Sequence, residues 1–215
     1  MSCFLNSQGK PVLMEMVKDI QENKGYLGDV DGLIGDGDHG MNMNKGFTIF
    51  ASRFEDKDFS FSEGLNELGM VLMNEIGGSM GPIYGTILMD MAESIGKTDR
   101  DEIVLPDFAT AVQAGLDGLC EIVDARIGDK TLVDTLAPAT ASLGKDAAAG
   151  ADFAASLTRM KSAAEAGRDS TKDMVAKFGR SSRLGERSRG VLDAGSCSCC
   201  IILSAMADGI LPLLK

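Results

Sequence analysis

Residues 84–95 read YGTILMDMAESI, and this stretch shows the period that decides the fold class. Its apolar side chains recur every three or four positions, so they lie on one face of an α-helix: Tyr84, Ile87, Leu88, Met91 and Ile95. No segment of the chain shows the clean two-residue alternation of a half-buried strand. The stretch therefore predicts a helix packed in an all-helical protein.

The same period recurs along most of the chain. We predict an all-α protein that forms a single domain over residues 1–215, with eight helices in an antiparallel up-and-down barrel or bundle. The predicted helices span residues 10–24, 41–55, 61–76, 81–96, 106–125, 131–145, 152–178 and 196–214.

The composition restricts the class of protein. Hydrophobic residues make up 44% of the chain and the net charge is −11, which indicates a globular protein and disfavours nucleic acid and anionic membranes as partners. No apolar run approaches 20 residues, and no signal peptide is expected. Five cysteines, three of them within residues 197–200, favour a reducing cytoplasm and small buried side chains over a zinc site.

The predicted connections fall into two sets. Residues 25–40, 77–80, 126–130 and 179–195 carry nearly all the combinations of Gly, Ser, Asp and Arg, whereas the other connections carry no obvious chemistry. Alternate connections of an up-and-down barrel lie at the same end. We therefore expect the chemistry at one end of the barrel.

Three aspartates occur within eight residues of the first of these connections: Asp31, Asp36 and Asp38. Carboxylates so close together repel one another, and a divalent cation would neutralise them. The segment fits neither an EF-hand, since Phe47 stands where the bidentate Glu belongs, nor a P-loop. With a helix N-terminus beside it, the cluster predicts a magnesium nucleotide, and a polar capping loop is the alternative.

The later connections suit phosphate. Ser79 and its neighbouring glycines precede a helix, and Arg180 belongs to a segment with four arginines in an otherwise acidic protein. Backbone N–H groups, hydroxyls and guanidinium groups all bind phosphate oxygens. An ordinary N-cap at Ser79 and a solvated basic loop around Arg180 are the alternatives.

Four blocks together resemble a known family: GDGDHGMN (residues 35–42), GGSMGP (77–82), GDKT (128–131) and GRSSRLGERS (179–188). In this order they closely resemble the nucleotide-binding L subunit of dihydroxyacetone kinases. The resemblance implies an eight-helix antiparallel barrel whose nucleotide caps one end. The chain departs from the family at Val123, Arg183 and Ala194, which leaves room for a different sugar ketone as substrate.

The resemblance also implies roles for individual residues. It implies two Mg²⁺ ions held by Asp31, Asp36 and Asp38. It implies ADP or ATP contacts from a larger set: His39, Gly40, Met41, Asn42, Ser79, Met80, Leu132, Arg180, Asp193 and Gly195. No catalytic residue beyond these metal and phosphate ligands is expected on this chain.

His39 is the only histidine of the chain. Beside three carboxylates we expect its pKa to be raised, which would suit a proton donor, a phosphate carrier or a ligand. The resemblance instead implies a nucleotide contact, because the histidine that holds the substrate belongs to the K subunit.

The leading functional hypothesis is one half of a kinase. The chain would present a phosphoryl group of Mg²⁺-bound ADP or ATP to a sugar ketone on a separate K subunit. A phosphohistidine phosphotransferase protein is the candidate for a further partner. A homodimer is also compatible with this hypothesis. Whether ADP is a permanent cofactor or ATP an exchanging substrate stays open. The alternative is a nucleotide-sensing module that acts on a transcription factor or other partner without turnover.

Overall fold

The computed structural model describes residues 2–215, and this part of the chain is mainly helical. Its eight α-helices are α1 (Lys10–Ile34), α2 (His39–Phe54), α3 (Phe61–Glu75), α4 (Met80–Gly96), α5 (Leu105–Ile122), α6 (Val133–Ala148), α7 (Phe153–Ser170) and α8 (Ala194–Ile210). Two short strands, β1 (Cys3–Leu5) and β2 (Glu102–Val104), pair antiparallel, and four 3-10 segments complete the regular structure: Asn6–Gln8, Thr171–Asp173, Ser181–Ser188 and Leu211–Leu213.

The helices form a closed antiparallel ring. Each helix packs against the next one in sequence, and α8 packs against α1. Helices that follow one another in opposite directions and close on the first make an up-and-down barrel. The predicted all-α fold class is therefore confirmed.

The two ends of the barrel differ. The β1–β2 pair precedes α1 and α5, so it lies at the end where the odd-numbered helices begin. Phenylalanines fill this end: the ring of Phe4 meets that of Phe61 edge-on at 5.4 Å, and the rings of Phe108 and Phe153 are 5.9 Å apart. Aromatic packing thus closes one end and leaves the opposite end for the site.

Two predicted helix boundaries are wrong by eight or more residues. α1 ends at Ile34 rather than at residue 24, because buried Leu27 and Val30 continue its apolar face. α7 ends at Ser170 rather than at 178, and a 3-10 turn, Thr171–Asp173, follows it. The remaining boundaries shift by four residues or fewer, and α2 begins at His39 rather than at 41.

α8 is an apolar and largely buried helix of the barrel. With the following 3-10 segment it forms a 20-residue run, Ala194–Leu213, whose mean hydropathy is 1.7. The expectation that no apolar run approaches 20 residues is therefore wrong. Burial explains the composition, since 67% of the most apolar stretch of this run lies inside the protein. Its three cysteines are buried and free, as predicted.

Candidate functional site

Four connections meet at the open end of the barrel. They join α1 to α2, α3 to α4, α5 to α6 and α7 to α8, and their residues line a single cavity of about 740 Å³. A cavity of this size holds a nucleotide-sized ligand. Asp38, Ser79, Thr131 and Arg180, one from each connection, lie on its wall. The expectation that alternate connections share one end is confirmed.

The three aspartates form a compact oxygen cluster on the cavity wall. Asp31 lies on the last turn of α1, and Asp36 and Asp38 belong to the tight turn that leads into α2. One carboxylate oxygen from each lies within 4.8 Å of the others. Gly37 makes this turn possible, because its φ of +76° is a conformation that side chains with a Cβ rarely adopt.

This cluster fits a divalent cation. Mg²⁺ takes oxygen ligands and usually binds through one or two carboxylates together with phosphate oxygens. Asp36 and Asp38 are exposed and Asp31 is half-buried, so all three carboxylates can reach a ligand in the cavity. Arg180, from the connection between α7 and α8, forms an ion pair with Asp36. The guanidinium group therefore lies beside the aspartate cluster.

Helix N-termini add positive potential to the same cavity. α2, α4, α6 and α8 all begin at this end. The first N–H groups of α6 are bonded to Thr131 and Leu132, whereas N–H groups at the starts of α2, α4 and α8 remain free for a ligand in the cavity. Ser79 is the N-cap of α4, but its hydroxyl makes no capping hydrogen bond. The ordinary N-cap alternative for Ser79 therefore fails, and the hydroxyl is free for a ligand.

His39 lies in a buried hydrogen-bonded group beneath the cavity. Its Nε2 is 2.7 Å from the Ser198 hydroxyl, which is in turn 2.6 Å from the Tyr84 hydroxyl. Burial lowers the pKa of His39 to about 4, and the nearby Asp31 carboxylate opposes this only in part. The prediction of a raised pKa is therefore wrong, because desolvation outweighs the carboxylates.

Asp193 is a half-buried acid that lines the cavity, and Asp134 is a buried acid in the first turn of α6. Asp193 is the N-cap of α8, its carboxylate accepts a hydrogen bond from the Ser196 N–H at 2.7 Å, and burial raises its pKa to about 6. The carboxylate of Asp134 accepts hydrogen bonds from the N–H groups of Gly128 at 2.6 Å and Thr131 at 2.8 Å. These bonds fix the connection between α5 and α6 to the first turn of α6.

Comparison with known proteins assigns the chain to a family. The DAK2 domain model matches residues 33–208. The chain belongs to the family of dihydroxyacetone kinase L subunits. It is 34% identical to the "PEP-dependent dihydroxyacetone kinase 1, ADP-binding subunit DhaL" of Listeria innocua, over 87% of this chain and 88% of that protein. It is 35% identical to the "PEP-dependent dihydroxyacetone kinase, ADP-binding subunit DhaL" of Escherichia coli, over 85% and 86% of the two chains.

A solved structure shares the fold of this DAK2 domain. The dihydroxyacetone kinase from C. freundii in complex with AMP-PNP and Mg²⁺ superposes with a TM-score of 0.69, over 92% of this chain and at 20% identity. The chain spans only 33% of that kinase. At this identity the match supports the fold of the DAK2 domain and no more.

The cavity of the DAK2 domain gathers most of the predicted site residues. Those on its wall are Asp31, Asp36, Asp38, His39, Asn42, Ser79, Met80, Leu132, Arg180, Asp193 and Gly195. Gly40 instead packs against the backbone of α1, and Met41 is 62% exposed on the outside of the first turn of α2. Contacts of Gly40 and Met41 with the nucleotide stay predictions, as do the ligand roles of the other residues.

The sequence reasoning did not assign several residues of this cavity to the site, among them Phe178, Tyr84 and Lys130. Phe178 was predicted to lie in the seventh helix, and Tyr84 was assigned to the apolar face of the fourth helix. Lys130 was noted only as part of the GDKT block, although it is among the residues that line the cavity and its side chain is buried. Gly179 gave a signal for Phe178, because a glycine often ends a helix or starts a turn.

Proposed function

We propose that this chain is the nucleotide-binding subunit of a dihydroxyacetone-type kinase, which passes phosphate from bound ADP or ATP to a sugar ketone held on a separate K subunit. One observation carries the proposal: the only three-aspartate metal cluster found among residues 2–215 shares a cavity with four helix N-termini and Arg180. A carboxylate cluster beside an anion-binding wall suits a magnesium nucleotide. The relatives from Listeria innocua and Escherichia coli, named as ADP-binding subunits, support the same ligand.

The residues of this chain would act by positioning and by neutralising charge. Asp31, Asp36 and Asp38 would hold two Mg²⁺ ions, which supply charge neutralisation on the phosphate oxygens when bound. Arg180 and the N-terminal N–H groups of α4 and α8 would stabilise the negative charge that develops on the transferred group. Phosphoryl transfer needs no nucleophile from this chain.

The partner follows from the shape and surface of the open end. Several exposed apolar residues lie at this end, and we call four of them the apolar rim: Leu33 (67% exposed), Met41 (62%), Ile127 (64%) and Phe178 (40%). Exposed apolar side chains clustered around a site mark a protein interface. The K subunit would cover this rim, exclude water and supply the ketone. The names of the relatives favour the phosphotransferase-linked form, in which a phosphohistidine protein rephosphorylates ADP in place.

The test combines binding with transfer. Calorimetry should show ADP binding that depends on Mg²⁺, and this chain together with a K subunit and dihydroxyacetone should yield phosphorylated product with either ATP or a phosphohistidine donor. Copurified ADP that resists exchange with labelled ATP would identify the permanent-cofactor form. If ADP binds but neither donor gives product, the regulatory alternative replaces this proposal. If neither ADP nor ATP binds, both are wrong.

A further inference from the structure

Lys130 is a buried cation whose role is not explained by ligand binding. Its side chain is 1% exposed, and among residues 2–215 it is the one non-glycine residue with a positive φ, 61°. A left-handed backbone disfavours residues that carry a Cβ, so this conformation must be held by the surrounding contacts. The contacts of the ammonium group show what it holds.

The Lys130 ammonium donates to three backbone carbonyl groups. Its Nζ lies 2.6 Å from the Thr171 oxygen and 3.4 Å from the Met174 oxygen, and it also donates to the Val191 oxygen. A lysine ammonium has three N–H donors, so the three carbonyl groups use all of them. None remains for a phosphate oxygen, although Lys130 is among the residues that line the cavity.

The three acceptors flank one functional segment. Residues 175–190, which we call the arginine segment, contain Arg180 and leave the barrel between Met174 and Val191. The two ends of the segment meet, since the N–H of Gly190 donates to the Lys172 oxygen at 2.7 Å. The ammonium therefore lies at the neck of the arginine segment and binds both of its sides.

The anchor of Lys130 is itself rigid. The N–H groups of Gly128 and Thr131, on either side of it, are held by the buried carboxylate of Asp134 on α6. Lys130 thus connects a fixed turn of the barrel to the neck of the arginine segment. Burial lowers the pKa of Lys130, while the charge of Asp193 opposes the shift and favours the ammonium form.

We propose that Lys130 is a positioning residue that fixes the neck of the arginine segment and so holds Arg180 at the metal and phosphate side of the cavity. The link to phosphate rests on the proposed function, whereas the link to the neck rests on the hydrogen bonds alone. The effect on the nucleotide is exerted through Arg180.

Lys130→Met tests the neck without any ligand. Loss of three charge-assisted hydrogen bonds should raise hydrogen exchange in residues 174–191 by about tenfold or more, while α4 and α5 exchange as before. Lys172→Met, which removes an exposed lysine from the same neck, should leave exchange unchanged. Lys130→Gly removes the same ammonium but suits the positive φ, so it provides a folded variant if Lys130→Met does not fold. Unchanged exchange in the arginine segment of both Lys130 variants would overturn the proposal.

ADP affinity then separates positioning from direct phosphate binding. Lys130→Met and Arg180→Met should each weaken ADP binding by about tenfold or more, and the double variant should bind no more weakly than Arg180→Met alone. Additive losses would show that Lys130 contacts phosphate itself, which would overturn the proposal. Absence of ADP binding by the unaltered chain would refute the proposed function, and the exchange experiment would still decide the role of Lys130.

Discussion

Asp31, Asp36 and Asp38 bring three negative charges within 4.8 Å of one another on a cavity wall. Such proximity is unfavourable without a counterion, because the carboxylates repel one another. A bound cation would neutralise this repulsion. Arg180 offsets the charge of Asp36 alone. A single substitution at one of these aspartates should therefore impair function strongly.

Replacing Asp36 by Asn should abolish the Mg²⁺-dependent part of ADP binding. The amide keeps the shape of the side chain but loses the charge that attracts the metal, so we expect affinity to fall by about tenfold or more. Calorimetry with and without Mg²⁺ measures this loss. Asp29→Asn, at an exposed position of α1 close in sequence to the cluster, is the matched control and should bind normally. A variant that loses its helical circular dichroism would instead assign the cluster a structural role.

Asp193 should make the stability of the chain depend on pH. Its pKa rises from 3.8 to about 6 on burial, so folding favours the protonated carboxyl. This contribution is complete below pH 4 and is lost as the pH rises through 6, by about 3 kcal/mol for a shift of this size. Urea unfolding of the nucleotide-free chain at several pH values measures it. Asp193→Asn keeps an acceptor for the Ser196 N–H and should lack this pH dependence. Parallel profiles of the free energy of unfolding against pH for the two proteins would contradict the contribution assigned to Asp193.

At the level of elements, α1 shows why the first predicted loop was wrong. Residues 25–40 were predicted as a connection, but α1 continues through glycines 25, 28 and 32 although glycine weakens helices. Close packing between α1 and α2 accompanies this extension. A Cβ on Gly40, at the start of α2, would lie 1.9 Å from the Lys24 oxygen and 2.7 Å from the Gly28 nitrogen. The helices α1 and α2 therefore touch backbone to backbone, and the tertiary contact outweighs the propensity.

Gly40→Ala should destabilise the barrel more than any other glycine change on this helix pair. The added methyl group would meet backbone atoms, which cannot rotate away, so we expect a loss of about 1–3 kcal/mol in the free energy of unfolding. Gly25→Ala is the matched control, because a Cβ there meets nothing within 4 Å. It should stabilise the helix by about 0.5–1 kcal/mol. Equal effects in denaturant unfolding would mean that α1 and α2 separate more easily than the structure indicates.

The end of α7 shows the opposite error, because this helix was predicted to be longer than it is. The sequence predicted a helix over residues 152–178, whose residues Phe153, Leu157, Met160 and Ala164 follow a helical period. The helix ends earlier because side-chain hydroxyl groups donate hydrogen bonds to the carbonyl groups of its last turn. The Ser170 hydroxyl donates to the Gly167 oxygen at 2.6 Å, and the Thr171 hydroxyl donates to the Arg168 oxygen at 2.6 Å. These local bonds compete with the helix, and no periodicity count detects them.

For the whole molecule, the position of the site was predictable and its lining was not. Counting helices placed four chemically rich connections at one end, and their convergence on one cavity bears this out. The strand pair β1–β2 was not predictable, because three residues are too few to show an alternation and the partners Cys3 and Val104 lie far apart in sequence. The contacts of Lys130 were not predictable for a similar reason, since its acceptors are distant backbone carbonyl groups that carry no sequence signal.

The isolated chain should phosphorylate dihydroxyacetone hardly at all. The acidic cluster, the helix N-termini and Arg180 suit metal and phosphate, and an open barrel end offers no wall that would hold a neutral polyol within roughly 3–3.5 Å of the reacting phosphorus. A cognate K subunit should raise product formation by several orders of magnitude, as measured by coupled assay. Robust turnover by the chain alone, with contaminating K subunit excluded by mass spectrometry, would refute the two-subunit mechanism.

The apolar rim should carry the affinity for that partner. Leu33 and Ile127 are 67% and 64% exposed, and covering such side chains at the centre of an interface contributes about 1–2 kcal/mol each. Leu33→Ser and Ile127→Ser together should weaken K-subunit binding by about tenfold or more, while ADP affinity stays unchanged because neither residue lines the cavity.

Met70→Ser, at an exposed apolar position on α3 outside the rim, controls for the loss of apolar surface in general. Calorimetric titration of the K subunit measures all three proteins. A K subunit that binds the rim variant as tightly as the unaltered chain must dock elsewhere, and the apolar rim would then not be its interface.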